Sequence, residues 1–194
     1  MAFWLQSLAD EGLAWLSRRR EGDQLDLIGP LGKGFTLPTQ QRHLLLVAEA
    51  AHVAPLLALM QMQLARQGSV ALLVHAPTAA ALLPPGMLPP SVEYYTATAD
   101  GSAGDANALE TLLGDMLRWA DAVATAGSAG FLRRLQRQVN EARPMLPRGF
   151  VQALAPVALS CGAGACLGCL VDTGRGFHRA CQRGPVFDLA ELTL

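Results

Sequence analysis

The residues of this chain best suited to chemistry are its four cysteines, all in one stretch near the end. Cys161, Cys166, Cys169 and Cys181 are spaced C-x4-C-x2-C-x11-C. Three thiolates from one tight loop and a fourth from a more distant segment is the spacing of a plant-type [2Fe–2S] site. Such a site needs four thiolates converging on two irons, with backbone N–H groups turned towards the sulfur atoms. Gly162, Gly164 and Gly168 fit that need, because a loop that wraps closely round a cluster visits conformations a side chain forbids.

Three other readings of the same cysteines stay open. Zinc also takes four thiolates, but structural zinc sites usually present two short C-x2-C-type pairs, and here there is one. Two disulfides would suit a small secreted domain, whereas a chain of 194 residues can build a core without them. Buried structural cysteines would be scattered and not gathered between residues 161 and 181. His178 lies in the same region, yet a Rieske-type site replaces two cysteines with two histidines, so His178 reads as a loop residue.

The elements that must position this stretch come earlier. The length allows one ordinary domain plus a small one. With 51% hydrophobic and 16% charged residues the chain is globular. A formal charge of −1 argues against nucleic acid as a partner. No apolar run has the length of a membrane span. Met1-Ala2-Phe3-Trp4-Leu5 precedes Arg18-Arg19-Arg20, the reverse of a secretory leader's order, so the cytoplasm is expected.

Leu5, Leu8, Ala9, Leu13 and Leu16 have helical spacing, weakened by Gly12. Gln24 to Ile28 alternates as a half-buried strand. Gly29 to Phe35 is a glycine-rich loop with no helix after it, and so is weak as a phosphate loop. From His43 strands and helices alternate. Strands are expected at 44–47, 70–74, 92–98, 121–125 and 150–154, and helices at 54–67, 106–118 and after Thr125. Pro84, Pro85, Pro89 and Pro90 mark a rigid connection. Arg133, Arg134 and Arg137 read as a solvated helix face. This order implies a Rossmann-like, doubly wound parallel sheet, α/β in class. Ligands of such sheets bind at the carboxyl ends of the strands, here the loops after Val47, Thr98 and Thr125. The last 40 residues lose the alternation and suit a small domain around a cluster.

Several stretches together resemble the electron-transfer subunit of class 1B dihydroorotate dehydrogenase, of the ferredoxin-reductase-like family. They are Gly22-Asp23 with Leu25, Ile28 to Phe35, Val53 to Leu59, Thr96-Ala97-Thr98 with Asp100 to Gly104, and the cysteine segment with Gly184-Pro185-Val186-Phe187-Asp188. The resemblance implies an FAD-binding β-barrel, a Rossmann-like NAD domain and a [2Fe–2S] domain in that order. It implies that Cys161, Cys166, Cys169 and Cys181 are the cluster ligands. It further implies a hetero-oligomer in pyrimidine biosynthesis, with electrons passing from FMN in a dehydrogenase partner through the cluster to FAD and NAD. On this basis residues 1–38 are expected to be a barrel remnant, 39–153 the Rossmann-like domain and 154–194 the cluster domain.

The departures from the family are informative. Most of the barrel has no counterpart, and Leu13 stands where the family has a hydroxyl near the flavin. The glycine-rich turn after the first Rossmann strand is Ala48-Glu49-Ala50-Ala51-His52, which adds side chains and a carboxylate where a pyrophosphate would sit. His52 reads there as a helix-start or packing residue. A Cys-Gly-Pro turn near the nicotinamide is Ala126-Gly127-Ser128. These losses predict degenerate FAD and NAD sites around an intact cluster site, hence an iron–sulfur relay for a flavin-bearing subunit. Two alternatives remain: a full FAD- and NAD-linked subunit whose barrel is supplied elsewhere, and a non-redox zinc scaffold.

Overall fold

The computed structural model describes residues 10–194, so the expectations for Leu5, Leu8 and Ala9 lie outside it. The chain forms two compact units, Met1–Pro30 and Leu31–Leu194. In the first, helix α1 spans Glu11–Leu16, through Gly12, and Asp10 caps it by accepting from the Leu13 N–H. The strand expected from Gln24 to Ile28 is not formed. Alternation identifies a surface that could be half-buried, but a strand also needs a ladder partner. Leu27 and Ile28 are 61% and 75% exposed. Among the described residues no strand precedes His43, so no barrel strand is seen.

The second unit is built on a sheet. Strand β1 (His43–Glu49) leads through a 3₁₀ turn at Ala50–His52 to α2 (Ala54–Ala65), which Pro55 helps start. Strand β2 (Ser69–Ala76) is followed by two 3₁₀ turns in the proline-rich connection, and then by β3 (Val92–Thr98). Asp105 caps α3 (Ala106–Trp119), and β4 (Ala122–Ala126) follows. Ser128 caps α4 (Ala129–Ala142), which leads to β5 (Val151–Leu154). The tail adds a small antiparallel pair, β6 (Leu170–Thr173) with β7 (Gly176–Arg179), then the short helix α5 (Ala180–Arg183) and β8 (Val186–Asp188).

The main sheet has the order β3-β2-β1-β4-β5-β8, parallel except for β8. Alternate strand residues face two cores, the arrangement a doubly wound sheet requires. Leu44, Leu46, Leu72 and Val74 pack under α2, whereas Leu45, Val47, Leu73 and Val123 pack under α3 and α4. The parallel α/β class and the five expected strands from residue 43 onward are observed, with ends shifted by one or two residues. β6, β7 and β8 were not foreseen. The tail does not stand apart from the sheet, because β8 pairs with β5 through Gln152↔Asp188, Ala153↔Phe187 and Leu154↔Val186. Among the described residues no helix is long and apolar enough to cross a membrane.

The entry to β1 is held by one carboxylate. Asp121 Oδ2 accepts from the Arg42 N–H at 2.8 Å and the His43 N–H at 2.9 Å, with His43 Nδ1 3.3 Å away. Desolvation raises the Asp121 pKa, but these two N–H groups and the His43 ring outweigh it, and the net shift is downward. A carboxyl whose folded pKa is depressed contributes stability above its unfolded value, about 4, and loses that contribution as pH falls through the lower folded value. Asp121→Asn should therefore flatten the acid limb of stability below about pH 4, read as urea midpoints at stepped pH. An unchanged limb would show that other carboxylates set it.

Candidate functional site

The cysteine segment connects β5 to the β6–β7 pair and α5, and its ends belong to the sheet's own core. Cys169 and Cys181 are buried at 2% and 3% exposure in the core that also contains Phe131, Leu135 and Phe187. Cys161 is half-buried and Cys166 is exposed. The Ala180 N–H donates to the Cys169 carbonyl at 2.9 Å, which carries α5, and Cys181 with it, back against the loop. Residues far apart in sequence thus meet through ordinary main-chain pairing.

The four sulfur atoms fall into two mutual pairs. The backbone N–H of Cys166 holds the Cys161 thiol down to about 6, helped by the Cys166 thiol and the N–H groups of Ala163 and Ala165. The Cys181 N–H lowers Cys169 against the opposing effect of burial, with the Cys181 thiol and Ala180 N–H adding to it. Burial pushes Cys181 up, as do the thiol and charge of Cys169, while the Gly164 N–H opposes. Cys161 also acts electrostatically on both Cys169 and Cys181, so the two pairs are neighbours. Among the described residues no three His, Cys, Asp or Glu side chains are placed so that they could hold one metal ion.

The glycines have separate reasons to be there. Gly162 and Gly164 take φ of 64° and 77°, in the left-handed region, and a Cβ on Gly164 would lie 2.3 Å from the Gln182 side chain. Gly168 does not take a positive φ; its N–H donates to Cys166 Sγ at 3.4 Å. The left-handed position beside it belongs to Leu167, at φ 59°. Leu167 is 48% exposed, near Leu170 and Phe177 at 41% and 70%, and these three line one depression with His178, Arg179 and Arg183. His178, expected from the sequence to be a loop residue, lies instead on β7, where it pairs with Val171 of β6. The residues of the depression are dispersed over loop, strand and helix and show no period.

Two motif stretches also meet beside the cysteines. Gly32 and Lys33 lie against Gly184 and Pro185, the Lys33 N–H donates to the Gly184 carbonyl, and the Val186 N–H donates to the Lys33 carbonyl at 3.2 Å. Thr36 and the Gln152 side chain exchange two bonds of 2.8 Å. The segment 31–36 is thereby fastened to both the sheet and the tail.

At the carboxyl end of β1 the expected helix-start histidine is present. His52 closes the 3₁₀ turn, with Nδ1 3.8 Å from Glu49 Oε2. Glu49 itself accepts from the Ser128 N–H at 2.6 Å, a contact between two of the altered turns that the sequence could not show.

Sheet and tail together define a doubly wound α/β protein whose C-terminal segment gathers four cysteines. Residues 158–193 match the iron–sulfur cluster binding domain of dihydroorotate dehydrogenase B. The NAD(+)-linked dihydroorotate dehydrogenase B electron transfer subunit of Caldanaerobacter subterraneus subsp. tengcongensis is 30% identical over 192 residues, covering 97% of this chain and 74% of that one. The Streptococcus pneumoniae serotype 4 subunit of the same name is 28% identical over 188 residues, covering 94% and 73%. This chain belongs to the family of dihydroorotate dehydrogenase B electron transfer subunits, and it spans about three quarters of the length of these relatives.

Among solved structures, an NADH-dependent reduced ferredoxin-NADP oxidoreductase superposes with a TM-score of 0.74 at 21% identity, over 93% of this chain and 64% of that one. An Amycolatopsis cytochrome P450 reductase superposes at 0.55 and 18% identity, over 76% and 48%. These likenesses concern the fold.

Proposed function

We propose that this chain is the iron–sulfur relay of a dehydrogenase complex, with Cys161, Cys166, Cys169 and Cys181 holding a [2Fe–2S] cluster. The observation that carries this reading is the match of residues 158–193, which contain all four cysteines, to an iron–sulfur cluster binding domain, and the neighbouring of Cys161 with Cys166 and of Cys169 with Cys181 accords with it. Two neighbouring thiol pairs suit two irons better than one, and a structural zinc would draw all four sulfurs round a single point. When bound, the cluster supplies one-electron chemistry. The protein's part is to bury, orient and tune it. Cys169 and Cys181, buried in the sheet's core, would hold it from the side that excludes water. The N–H groups of Ala163, Ala165 and Gly168 face sulfur, where they stabilise negative charge. Cys166 is the exposed one of the four, and electrons would pass to or from the partner on its side.

The partner in this reading is a flavin-bearing dehydrogenase subunit, of the FMN-dependent dihydroorotate type by family membership. The exposed Leu167, next to Cys166 in the chain, lines with Leu170 and Phe177 a depression that His178, Arg179 and Arg183 also border, and this surface is offered to the partner. Residues 1–38 are read as the barrel remnant, 39–153 as a Rossmann-like scaffold and 154–194 as the cluster segment, with the FAD and NAD sites degenerate. The absence of a barrel strand between residues 10 and 42 and the side chains of Ala48 to His52 support that degeneracy.

The purified chain should be red-brown and hold two irons and two acid-labile sulfides. A colourless protein with zinc would overturn the assignment. Fluorescence titration should detect no micromolar binding of NADH or FAD, and micromolar binding of either would overturn the degenerate-site reading.

A further inference from the structure

In sheets of this kind the crevice between the two strands where the order reverses takes phosphate-bearing ligands at a helix N-terminus. Here those strands are β1 and β4, paired from Leu44↔Ala122 to Ala48↔Ala126. The crevice is already bridged from within. Glu49, the last residue of β1, reaches over to Ser128, the capping residue of α4, and Oε2 accepts the Ser128 N–H at 2.6 Å. The Ser128 hydroxyl in turn accepts from the Phe131 N–H at 3.3 Å, so the head of the helix has protein acceptors at two of its donors. On the other side His52 Nδ1 lies 3.8 Å from the same carboxylate oxygen, buried and with no hydrogen-bond partner. The Glu49 side chain is 23% exposed.

We propose that Glu49 is an internal anion, a specificity-determining residue whose carboxylate stands in for a ligand phosphate between β1 and α4 and turns phosphate-bearing ligands away. A phosphate entering the crevice would meet a fixed like charge and lose the Ser128 N–H as donor. This rests on the degenerate-site reading above and gives the loss of phosphate binding between β1 and α4 a named cause. Among the changes in that turn, Ala48, Ala50 and Ala51 add only methyl groups, whereas Glu49 adds charge and takes a donor.

The test compares the parent chain with Glu49→Gln and Glu49→Gly, all cluster-loaded, titrated with NADH by fluorescence and with inorganic pyrophosphate by calorimetry. Glu49→Gln keeps the shape and an acceptor while removing the charge, and an unchanged visible spectrum and melting transition will show that it folds as the parent does. At least a tenfold gain in affinity for pyrophosphate in either folded variant, with or without a gain for NADH, is expected. Variants that bind neither ligand better than a non-binding parent would overturn the role of Glu49 and leave the degenerate-site reading standing. A parent chain that binds NADH in the micromolar range would overturn that reading itself.

Discussion

Cys166→Ser is expected to bleach the visible absorption of the purified protein and reduce its iron content more than tenfold, while the fold persists. Even the partners of metal ligands are worth 10–100-fold in affinity, and a ligand should be worth more. A hydroxyl is a poor substitute, because it is hardly ionised where a thiol begins to be. Cys166 is the informative position because it is exposed, so serine there leaves no polar group in the core. Cys181→Ser would lose the cluster too, but it would also place a hydroxyl among Phe187, Val171 and Cys169, and stability would fall with it. Equal iron and colour in Cys166→Ser and parent protein would remove that residue from the ligand set.

Gly32→Ala should cost about 3 kcal/mol, a sum of left-handed backbone strain and overpacking. Gly32 has φ 57°, and a Cβ there would fall 1.8 Å from the Gly184 carbonyl oxygen and 2.9 Å from that of Ala180. Both obstacles are backbone, so no rotamer change relieves them. The segment 31–36 would have to lift off the tail, losing the main-chain bonds of Lys33 to Gly184 and Val186. Chemical denaturation gives the size of the loss, and the iron content of the same variant shows whether the cysteine loop depends on that clamp. Parent-like stability in Gly32→Ala would mean that the clamp can be released at no cost.

How much of this was legible in the sequence depended on the range of the interactions. Leu44 to Val47 and Val70 to Val74 announced themselves because a strand covered on both faces must be apolar throughout, and both faces are covered. Leu109, Leu113 and Leu117 showed the buried side of α3 through their helical period. Gln24 to Ile28 misled because alternation describes a strand's faces and says nothing of a partner. β8 escaped notice because three residues hold no period, and its place in the sheet comes from pairing with β5. For the candidate site, the spacing singled out four cysteines that the fold brings near one another. It could not divide them into a core pair and an outer pair, since burial there depends on where α5 is carried. Likewise the charge of Glu49 was visible, but its partner Ser128 lies on another loop and only the sheet order joins them.

The β5–β8 pairing has a kinetic side as well. The chain leaves the sheet at Leu154 and rejoins it at Val186, with the Ala155 N–H bonded to the Pro185 carbonyl at 2.9 Å, so the cysteine segment is a loop closed at its base. The entropy of bringing Cys181 near the other three cysteines is therefore largely met by folding the sheet, before any metal arrives. Tied at both ends, the four thiols keep a high effective concentration for one another even when empty. If the four cysteines hold the proposed cluster, its loss would loosen the loop without scattering them, and reloading would start from an assembled set.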